Sequence, residues 1–307
     1  MSGRVIVLLS TYNGAAFLPE QLASFQAQTH ADWALLWRDD GSTDATVTVM
    51  EAFAARTGRC GRLEAPAGNL GVLRSYLTLL REAVPRLGPA DAVAFSDQDD
   101  VWLPEKLARG MAALAEVPAE VPALLCTRQR LVDDRLAPLG ESPKLRRPPG
   151  FPASLAQNIA TGCTILLNRA AAALIARSAA PEGTLHDWWS YLLVTAAGGR
   201  VLVDAEPQVL YRQHGRNTVG APRSTLARAS GAIRRGPEAF MRLFRAHLAA
   251  LAAQPDLLAP DARAAVARLL HALEGGRLRR LAALGMPGLV RQTALETLTF
   301  RLWFLLG

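Results

Sequence analysis

The feature that most constrains the fold of this chain is a recurring order of short apolar runs, polar turn residues and helix-like segments. Val5–Leu9, Trp33–Trp37 and Asp91–Ser96 are predicted strands, because mostly apolar runs of this length are typical of strands buried on both faces. Thr43–Ala55 and Val72–Ala83 have helical spacing and lie between the second and third of these strands. This alternation favours an open, mostly parallel α/β sheet.

The second half of the chain contains two kinds of sequence. Residues 138–152 include five prolines and are predicted to form a loop or linker. Strand-like and helix-like segments then resume at Cys163–Leu167, Arg169–Ser178, Asp187–Ala197, Arg200–Val203 and Val209–Gln213. Only helical patterns remain beyond residue 220. We therefore predict an α/β catalytic unit over residues 1–220 and a helical region over residues 221–307.

Charge is distributed unevenly between these two parts. The chain has a formal net charge of +7, and residues 221–307 hold 13 arginines, no lysine and 5 acidic residues, which gives +8. Residues 1–220 therefore sum to −1, from +7 minus +8. A near-neutral body with a basic C-terminal region predicts catalysis in the former and docking in the latter.

Motifs and composition argue against several protein classes. The chain lacks the G-x-G-x-x-G of dinucleotide-binding proteins, a G-x-x-x-x-G-K-[ST] phosphate loop and a G-x-S-x-G elbow. The three cysteines are far apart, which predicts no disulfide framework and a reducing, cytoplasmic location. The first apolar run is predicted to be a strand rather than a signal peptide, and no apolar run reaches the ~18–20 residues of a membrane-spanning helix.

Polar clusters stand directly after three of the predicted strands. Ser10–Asn13 follows the first strand, Asp39–Asp44 the second, and Asp97–Asp100 a later one. Each cluster alone is typical of an ordinary turn. In open α/β sheets, however, ligands bind outside the carboxyl ends of the strands, so we predict that the three clusters converge on one crevice.

The cluster Asp97–Asp100 places three carboxylates within four residues. Their mutual repulsion costs stability unless a positive charge lies there, and a divalent cation that also holds phosphate oxygens would supply it. The alternative is a turn that caps the helix beginning near Pro104. In the second cluster, one carboxylate is predicted to accept hydrogen bonds from a base or ribose, with Ser42 capping the next helix; the alternative there is a capping turn alone.

Ordered motifs give the chain a resemblance to a known family. VIVLLSTYNGAAFLPEQLASFQAQTH, RDDGSTDAT, GNLGVLRSY and FSDQDDVWLPEKL resemble the large inverting glycosyltransferase family, and the resemblance extends over about residues 3–220. HDWW at 186–189 and YRQHGRNTVG at 211–220 are similar to the bacterial rhamnosyltransferase branch that builds cell-surface polysaccharide. The resemblance implies the GT-A nucleotide-diphospho-sugar transferase fold, a Rossmann-like mixed sheet flanked by helices, with a C-terminal helical extension.

The resemblance also implies roles for individual residues. Asp187 matches the catalytic base, and Asp99 matches the principal ligand of Mg²⁺ or Mn²⁺, with Asp97 and His214 as further ligands. Leu73-Arg74-Ser75 departs from the family pattern and receives no role. Contacts to the nucleotide-sugar donor are implied for the following residues: Thr11, Tyr12, Asn13, Asp39, Asp40, Asn69, Gly71, Asp97, Gln98, Gly162 and Cys163.

Aromatic residues beside the predicted base are candidates for the acceptor site. The large apolar faces of Trp188 and Trp189 suit stacking on sugar rings, as does the face of Trp102, and His186 is a candidate orienting neighbour. The alternative is that Asp187 only caps a helix whose tryptophans lie in the core. For His214 the alternative is a purely structural histidine.

The predicted activity is metal-dependent transfer of a sugar with inversion, from dTDP-L-rhamnose onto a polysaccharide or a lipid-linked acceptor. Another nucleotide sugar such as a UDP-hexose, and a non-catalytic sugar-nucleotide-binding module, are the alternatives. The apolar, arginine-bearing end of the chain, Thr297–Leu306, is too short to span a bilayer. It is predicted either to lie in the interface at the cytoplasmic face of the inner membrane, or to pack on the catalytic unit or in a homodimer. No motif accompanies the basic charge that would favour nucleic acid.

Overall fold

The structure is a computed structural model that describes residues 3–64, 66, 68–215 and 225–307, with side chains left out for 225–235. Within that part of the chain, nine strands form one sheet. Their bounds are β1 Val5–Thr11, β2 Trp33–Asp39, β3 Cys60–Arg62, β4 Ala92–Ser96, β5 Val101–Trp102, β6 Ala123–Val132, β7 Pro138–Glu141, β8 Leu166–Asn168 and β9 Arg200–Arg212.

Eleven α-helices accompany the sheet in the described ranges. The first seven are α1 Leu18–Gln26, α2 Thr46–Thr57, α3 Gly71–Ala83, α4 Lys106–Ala115, α5 Ala153–Ala156, α6 Arg169–Arg177 and α7 His186–Ala196. The C-terminal four are α8 Thr225–Ala252, α9 Pro260–Glu274, α10 Arg277–Ala283 and α11 Ala294–Leu306. The α8 helix is kinked at Gly236, whose φ of +76° interrupts the helical backbone before Pro237.

The sheet is mixed, with the order β3–β2–β1–β4–β8–β6–β9–β5 and with β7 paired to β6. The first four strands of this order are mutually parallel, β8 is antiparallel to both of its neighbours, and β6 is parallel to β9. This mixed sheet flanked by helices, followed by a helical C-terminal region, confirms the predicted fold class.

Both faces of the central strands are buried, as their apolar sequences predict. Val5, Val7 and Leu9 of β1 belong to one apolar cluster, which includes side chains of α1, α2 and α4. Ile6 and Leu8 point the other way, into a second cluster that includes side chains of α3, α6 and α7. Alternate residues of one strand therefore join different cores.

The C-terminal helices extend the second cluster. Phe244 of α8, Val266 of α9 and Phe300 of α11 belong to the same apolar cluster as Trp189 of α7. The predicted boundary between residues 220 and 221 lies outside the described residues, so the division into two units remains a prediction. In the described part of the chain, no helix has the length and apolar character needed to cross a bilayer.

Three sequence expectations about secondary structure need correction. Residues 138–141 form β7 rather than a loop, and they pair with β6, a central strand that the apolar runs did not single out. The two strands expected after residue 199 are one strand, β9, whose register shifts opposite Thr127 and Arg128. Ser42 does not cap α2, since Ala45 occupies the N-cap position and the Asp44 carboxylate accepts from the Thr46 N–H at 2.9 Å.

Candidate active site

The parallel register brings the three polar clusters to one edge of the sheet. Thr11 pairs with Asp39 at the ends of β1 and β2, and Leu9 pairs with Ser96 at the end of β4. The residues after each strand therefore face the same crevice, as expected for the carboxyl ends of parallel strands.

Asp39 organises the loop after β2. Its carboxylate accepts hydrogen bonds from Thr11 Oγ1 at 2.9 Å, the Gly41 N–H at 3.1 Å, the Ser42 N–H at 2.7 Å and Ser42 Oγ at 2.6 Å. A carboxylate has about four acceptor positions, so these bonds use all of them. A base or ribose at Asp39 would have to share or replace one of these bonds, and the nucleoside contact remains a prediction.

Asp40, the next residue, is buried. It is paired with the buried Arg38 and accepts from the Leu70 N–H at 2.7 Å and the Gly71 N–H at 2.9 Å. These bonds hold the first turn of α3, where Gly71 has a left-handed φ of +74°. Asp40 therefore supports the start of α3, and its nucleoside contact remains a prediction, as does that of the exposed Asn69.

Gln98 fastens the loop after β1 to the loop after β4. Its Oε1 accepts from the Tyr12 N–H and its Nε2 donates to the Tyr12 carbonyl, both at 2.9 Å. A Cβ on Gly14 would lie 2.1 Å from Gln98 Oε1, so any larger residue there would displace the Gln98 amide. The amide is thus engaged with backbone rather than free for a ligand, while the Tyr12 ring is 51% exposed at the crevice.

Asn13 stabilises the same loop in an unusual backbone conformation. Its φ is +47°, a region that asparagine tolerates better than most residues. Its N–H donates to Ser42 Oγ at 2.9 Å, and its Oδ1 accepts from the Thr43 N–H at 2.8 Å. The side chain therefore joins the first two polar clusters, and its predicted contact with the donor remains a prediction.

The carboxylates that follow β4 face different surroundings. Asp97 accepts from the Tyr76 hydroxyl at 3.2 Å, and Asp99 Oδ2 lies 2.9 Å from His214 Nε2. Burial, together with the charges of Asp99 and Asp187, raises the pKa of Asp97 to about 7. Such repulsion is the electrostatic condition that a bound cation relieves.

Two carboxylates and an imidazole fit a divalent cation by their chemistry. Carboxylate oxygens suit Mg²⁺ and Mn²⁺, and an imidazole nitrogen suits transition metals. Asp99 and His214 lie side by side and have suitable ligand atoms, and a shared ion site with Asp97 remains a prediction. The ring of His214 also stacks on Phe17, with centroids 4.7 Å apart, which fixes its position.

A second group of ligand-type atoms lies beneath the crevice. Oxygens of Asp97 and Asp100 and the Sγ of Cys163 lie within 4.8 Å of one another. Burial raises the pKa of both Asp100 and the Cys163 thiol, and a metal would need the thiolate. Asp100 accepts instead from the Arg212 N–H at 3.1 Å. The Cys163 side chain is buried in the core, and the predicted place of Gly162 and Cys163 beneath the donor sugar remains a prediction.

Asp187 lies in the first turn of α7, at the positive end of the helix dipole. Its carboxylate accepts from the Trp188 N–H at 2.5 Å and the Gly162 N–H at 3.2 Å. Burial raises its pKa to about 6, against the opposing effect of these N–H groups and the Asn158 side chain. A carboxylate with that pKa is matched to proton abstraction near neutral pH. Leu185 occupies the N-cap position, so capping does not account for Asp187.

The aromatic residues near Asp187 differ in accessibility. Trp189 and Trp102 are buried in the two cores, and His186 is buried with its ring stacked on Tyr76 at 3.9 Å. Burial lowers the pKa of His186 to about 3, so this ring is neutral. The stacking on sugar rings predicted for Trp102 and Trp189 is corrected to core packing, whereas the orienting role of His186 remains a prediction. Trp188 is half-buried and donates from Nε1 to the Ser154 carbonyl at 2.8 Å.

Sequence reasoning missed three buried residues that support the crevice. Arg212 donates from Nε to the Asp99 carbonyl at 2.7 Å and pairs with Glu20. Tyr76 holds Asp97, and the Lys106 ammonium lies 3.8 Å from the centroid of the Trp102 ring. The sequence contains one indication of the role of Arg212, which is a charged residue within an apolar strand. A buried charge needs partners, so such a residue is expected to pair with other polar groups.

Comparisons with known proteins agree with this fold. The profile described as Glycosyl transferase family 2 matches residues 6–174. The chain is 27% identical over 229 residues to the dTDP-rhamnosyl transferase RfbG of Shigella flexneri, a match that covers 69% of this chain and 74% of that protein.

Two solved structures are similar in fold. S. aureus TarS matches with a TM-score of 0.56 and 18% identity, over 92% of this chain and 79% of that chain. The mannosyltransferase PcManGT from Pyrobaculum calidifontis, in complex with GDP-Man and Mn²⁺, matches with a TM-score of 0.50 and 20% identity, over 99% and 88%. At these identities the likeness concerns the fold alone.

Proposed function

Because the chain belongs to glycosyl transferase family 2, we propose that it transfers L-rhamnose from dTDP-L-rhamnose with inversion, in a reaction that requires Mg²⁺ or Mn²⁺. The acceptor is a growing cell-surface polysaccharide or a lipid-linked glycan. The similarity to a dTDP-rhamnosyl transferase supports the donor. The observation that carries the proposal is that Asp187 and the acidic residues after β4 share one crevice. The buried Asp187 carboxylate and the Asp99 carboxylate both raise the pKa of Asp97.

Asp187 is the proposed base in this reaction. With a pKa of about 6, it is mostly ionised at neutral pH and takes the proton of the acceptor hydroxyl as that oxygen attacks the anomeric carbon. The N–H groups of Trp188 and Gly162 hold the carboxylate in place before the reaction. One base and one in-line displacement invert the anomeric configuration.

The donor is positioned by residues at the strand ends. Tyr12 presents its exposed ring for stacking on the base, within a loop held by Gln98. Asp97, Asp99 and His214 would hold the cation, which when bound supplies Lewis-acid stabilisation of the departing diphosphate. Arg212 keeps the Asp99 backbone in place through its carbonyl.

A panel of nucleotide sugars tests the donor. With Mn²⁺ present, dTDP-L-rhamnose is expected to raise the thermal midpoint, since a ligand at ~100 Kd adds about 2.7 kcal/mol to the free energy of unfolding. Stabilisation by UDP-GlcNAc alone would favour the alternative donor class, which the UDP-GlcNAc complex of TarS makes the natural second candidate. The Asp99→Asn variant is expected to lose the metal-dependent part of the shift.

Turnover separates an enzyme from a binding module. Asp187→Asn is expected to retain donor binding and to lose about 10²–10⁴-fold in transfer rate, the usual contribution of a general base. Asp261→Asn is the matched control, because Asp261 also lies in the first turn of a helix, α9. Equal rates for Asp187→Asn and the control would remove Asp187 as the base. The absence of transfer by the wild-type protein with every donor would favour the binding module.

A further inference from the structure

The C-terminal helices expose apolar side chains that the proposed sugar transfer does not use. Among the described residues, nine large apolar side chains are exposed, and six of them are leucines of α10 and α11, two helices that contact each other. Clustered apolar exposure is uncommon unless something covers it. We call these six residues the leucine face: Leu278, Leu281, Leu295, Leu298, Leu302 and Leu306.

Spacing along α11 places four of these leucines on one side of the helix. Residues 295, 298, 302 and 306 follow one another at intervals of three or four, and their exposed fractions are 61%, 65%, 53% and 63%. The opposite side of α11 is already covered, because Phe300 and Phe304 pack against Phe244 of α8. The exposed leucines therefore take no part in the packing of the described residues.

Charge on the same two helices is almost entirely positive. Residues 277–307 contain five arginines and one acidic residue, Glu296. Arg277, Arg279 and Arg301 are exposed. The Glu296 carboxylate is engaged in the capping box of α11, where it accepts from the Thr293 N–H at 3.0 Å. The leucine face is thus accompanied by exposed positive charge and by no unengaged carboxylate from this segment.

We propose that the leucine face binds the surface of a membrane that contains anionic lipids. Leucines on such a face enter the boundary between headgroups and acyl chains, and arginines beside them are attracted to anionic headgroups. A second copy of the chain fits less well, because a symmetric pair would set the same arginine-rich surfaces against each other. This docking does not depend on which sugar the crevice binds.

Co-sedimentation with lipid vesicles tests the proposal. The wild-type protein is expected to bind vesicles of equimolar phosphatidylglycerol and phosphatidylcholine, and to bind pure phosphatidylcholine vesicles more weakly. The double variant Leu298→Glu/Leu302→Glu is expected to lose at least about tenfold in partitioning, because two apolar anchors become charged. Arg277→Gln and Arg279→Gln are each expected to lose about fivefold on the anionic vesicles.

Val203→Glu is the matched control, since Val203 is an exposed apolar residue, at 38%, on the strand β9. It is expected to bind vesicles as the wild type does. Unchanged circular dichroism and thermal midpoints would show that the variants are folded, as exposed positions predict. The proposal is overturned if the wild type binds neither vesicle or if the double variant binds as tightly. It is equally overturned if sedimentation velocity shows a dimer that the double variant dissociates, without vesicle binding, which would assign the face to a second copy.

Discussion

The crevice at the strand ends and the C-terminal helices are stabilised by different physical means. In the crevice, buried carboxylates such as Asp40 and Asp187 are held by backbone N–H groups, and Asp97 has a pKa raised to about 7. In the C-terminal helices, the aromatic rings of Phe244 and Phe300 pack with centroids 5.8 Å apart. Apolar burial stabilises the fold, whereas crowded like charges cost stability and are retained where they serve chemistry.

The largest expected effect on stability is in the aromatic cluster. Phe300 is fully buried between α8 and α11, so Phe300→Ala leaves a cavity and is expected to lower the free energy of unfolding by about 3–5 kcal/mol. Denaturant unfolding measures the loss, and Phe300→Leu, which keeps more of the volume, is expected to lose less. Equal stability of wild type and Phe300→Ala would mean that α11 does not contribute to the core.

The next effect is on the rate of transfer at acid pH. Asp187 must be ionised to accept a proton, so the rate with saturating donor and Mn²⁺ is expected to fall about tenfold per pH unit below about 6 and to level off above it. Initial rates between pH 5 and pH 8 measure this acid side of the pH–rate profile. A rate that is flat through pH 6 would contradict the proposed base.

A smaller effect concerns stability and pH in metal-free protein. The pKa of Asp97 is raised on folding, from 3.8 to about 7, so the folded state binds more protons between these values. Stability is therefore expected to fall as pH rises from about 4 to about 7, by at most about 1.4 kcal/mol per pH unit from this group. Asp97→Asn is expected to remove this part of the fall. Urea unfolding at several pH values in EDTA measures the free energy of unfolding as a function of pH. If this pH dependence is unchanged in the variant, Asp97 is not the group responsible for the fall.

The smallest expected effect is at the leucine face. Leu298 is 65% exposed, so Leu298→Ser is expected to change the free energy of unfolding by no more than about 0.5 kcal/mol. The contrast with Phe300, two residues away on the same helix, separates the covered side of α11 from its exposed side. A large loss for Leu298→Ser in thermal or denaturant unfolding would show that this leucine is packed.

Local patterns predicted much of the architecture and part of the site. Continuous apolar runs located β1, β2 and β4, because burial on both faces requires apolar residues at every position. They did not locate β6, whose sequence from Thr127 to Arg130 is polar. That strand is central because it pairs with β8 and β9, which are distant in sequence. Its assignment therefore depends on contacts that periodicity does not contain.

The sequence alone determined the class of fold, the family and the edge of the sheet where acidic residues gather, since these follow from short motifs and from the direction of parallel strands. Only the tertiary structure decided what each polar side chain does. Asp39 and Asp40 are adjacent and chemically identical, yet Asp39 holds a loop at the crevice and Asp40 is buried against Arg38. Successive side chains take different directions, and the partners that each one meets come from distant segments of the chain.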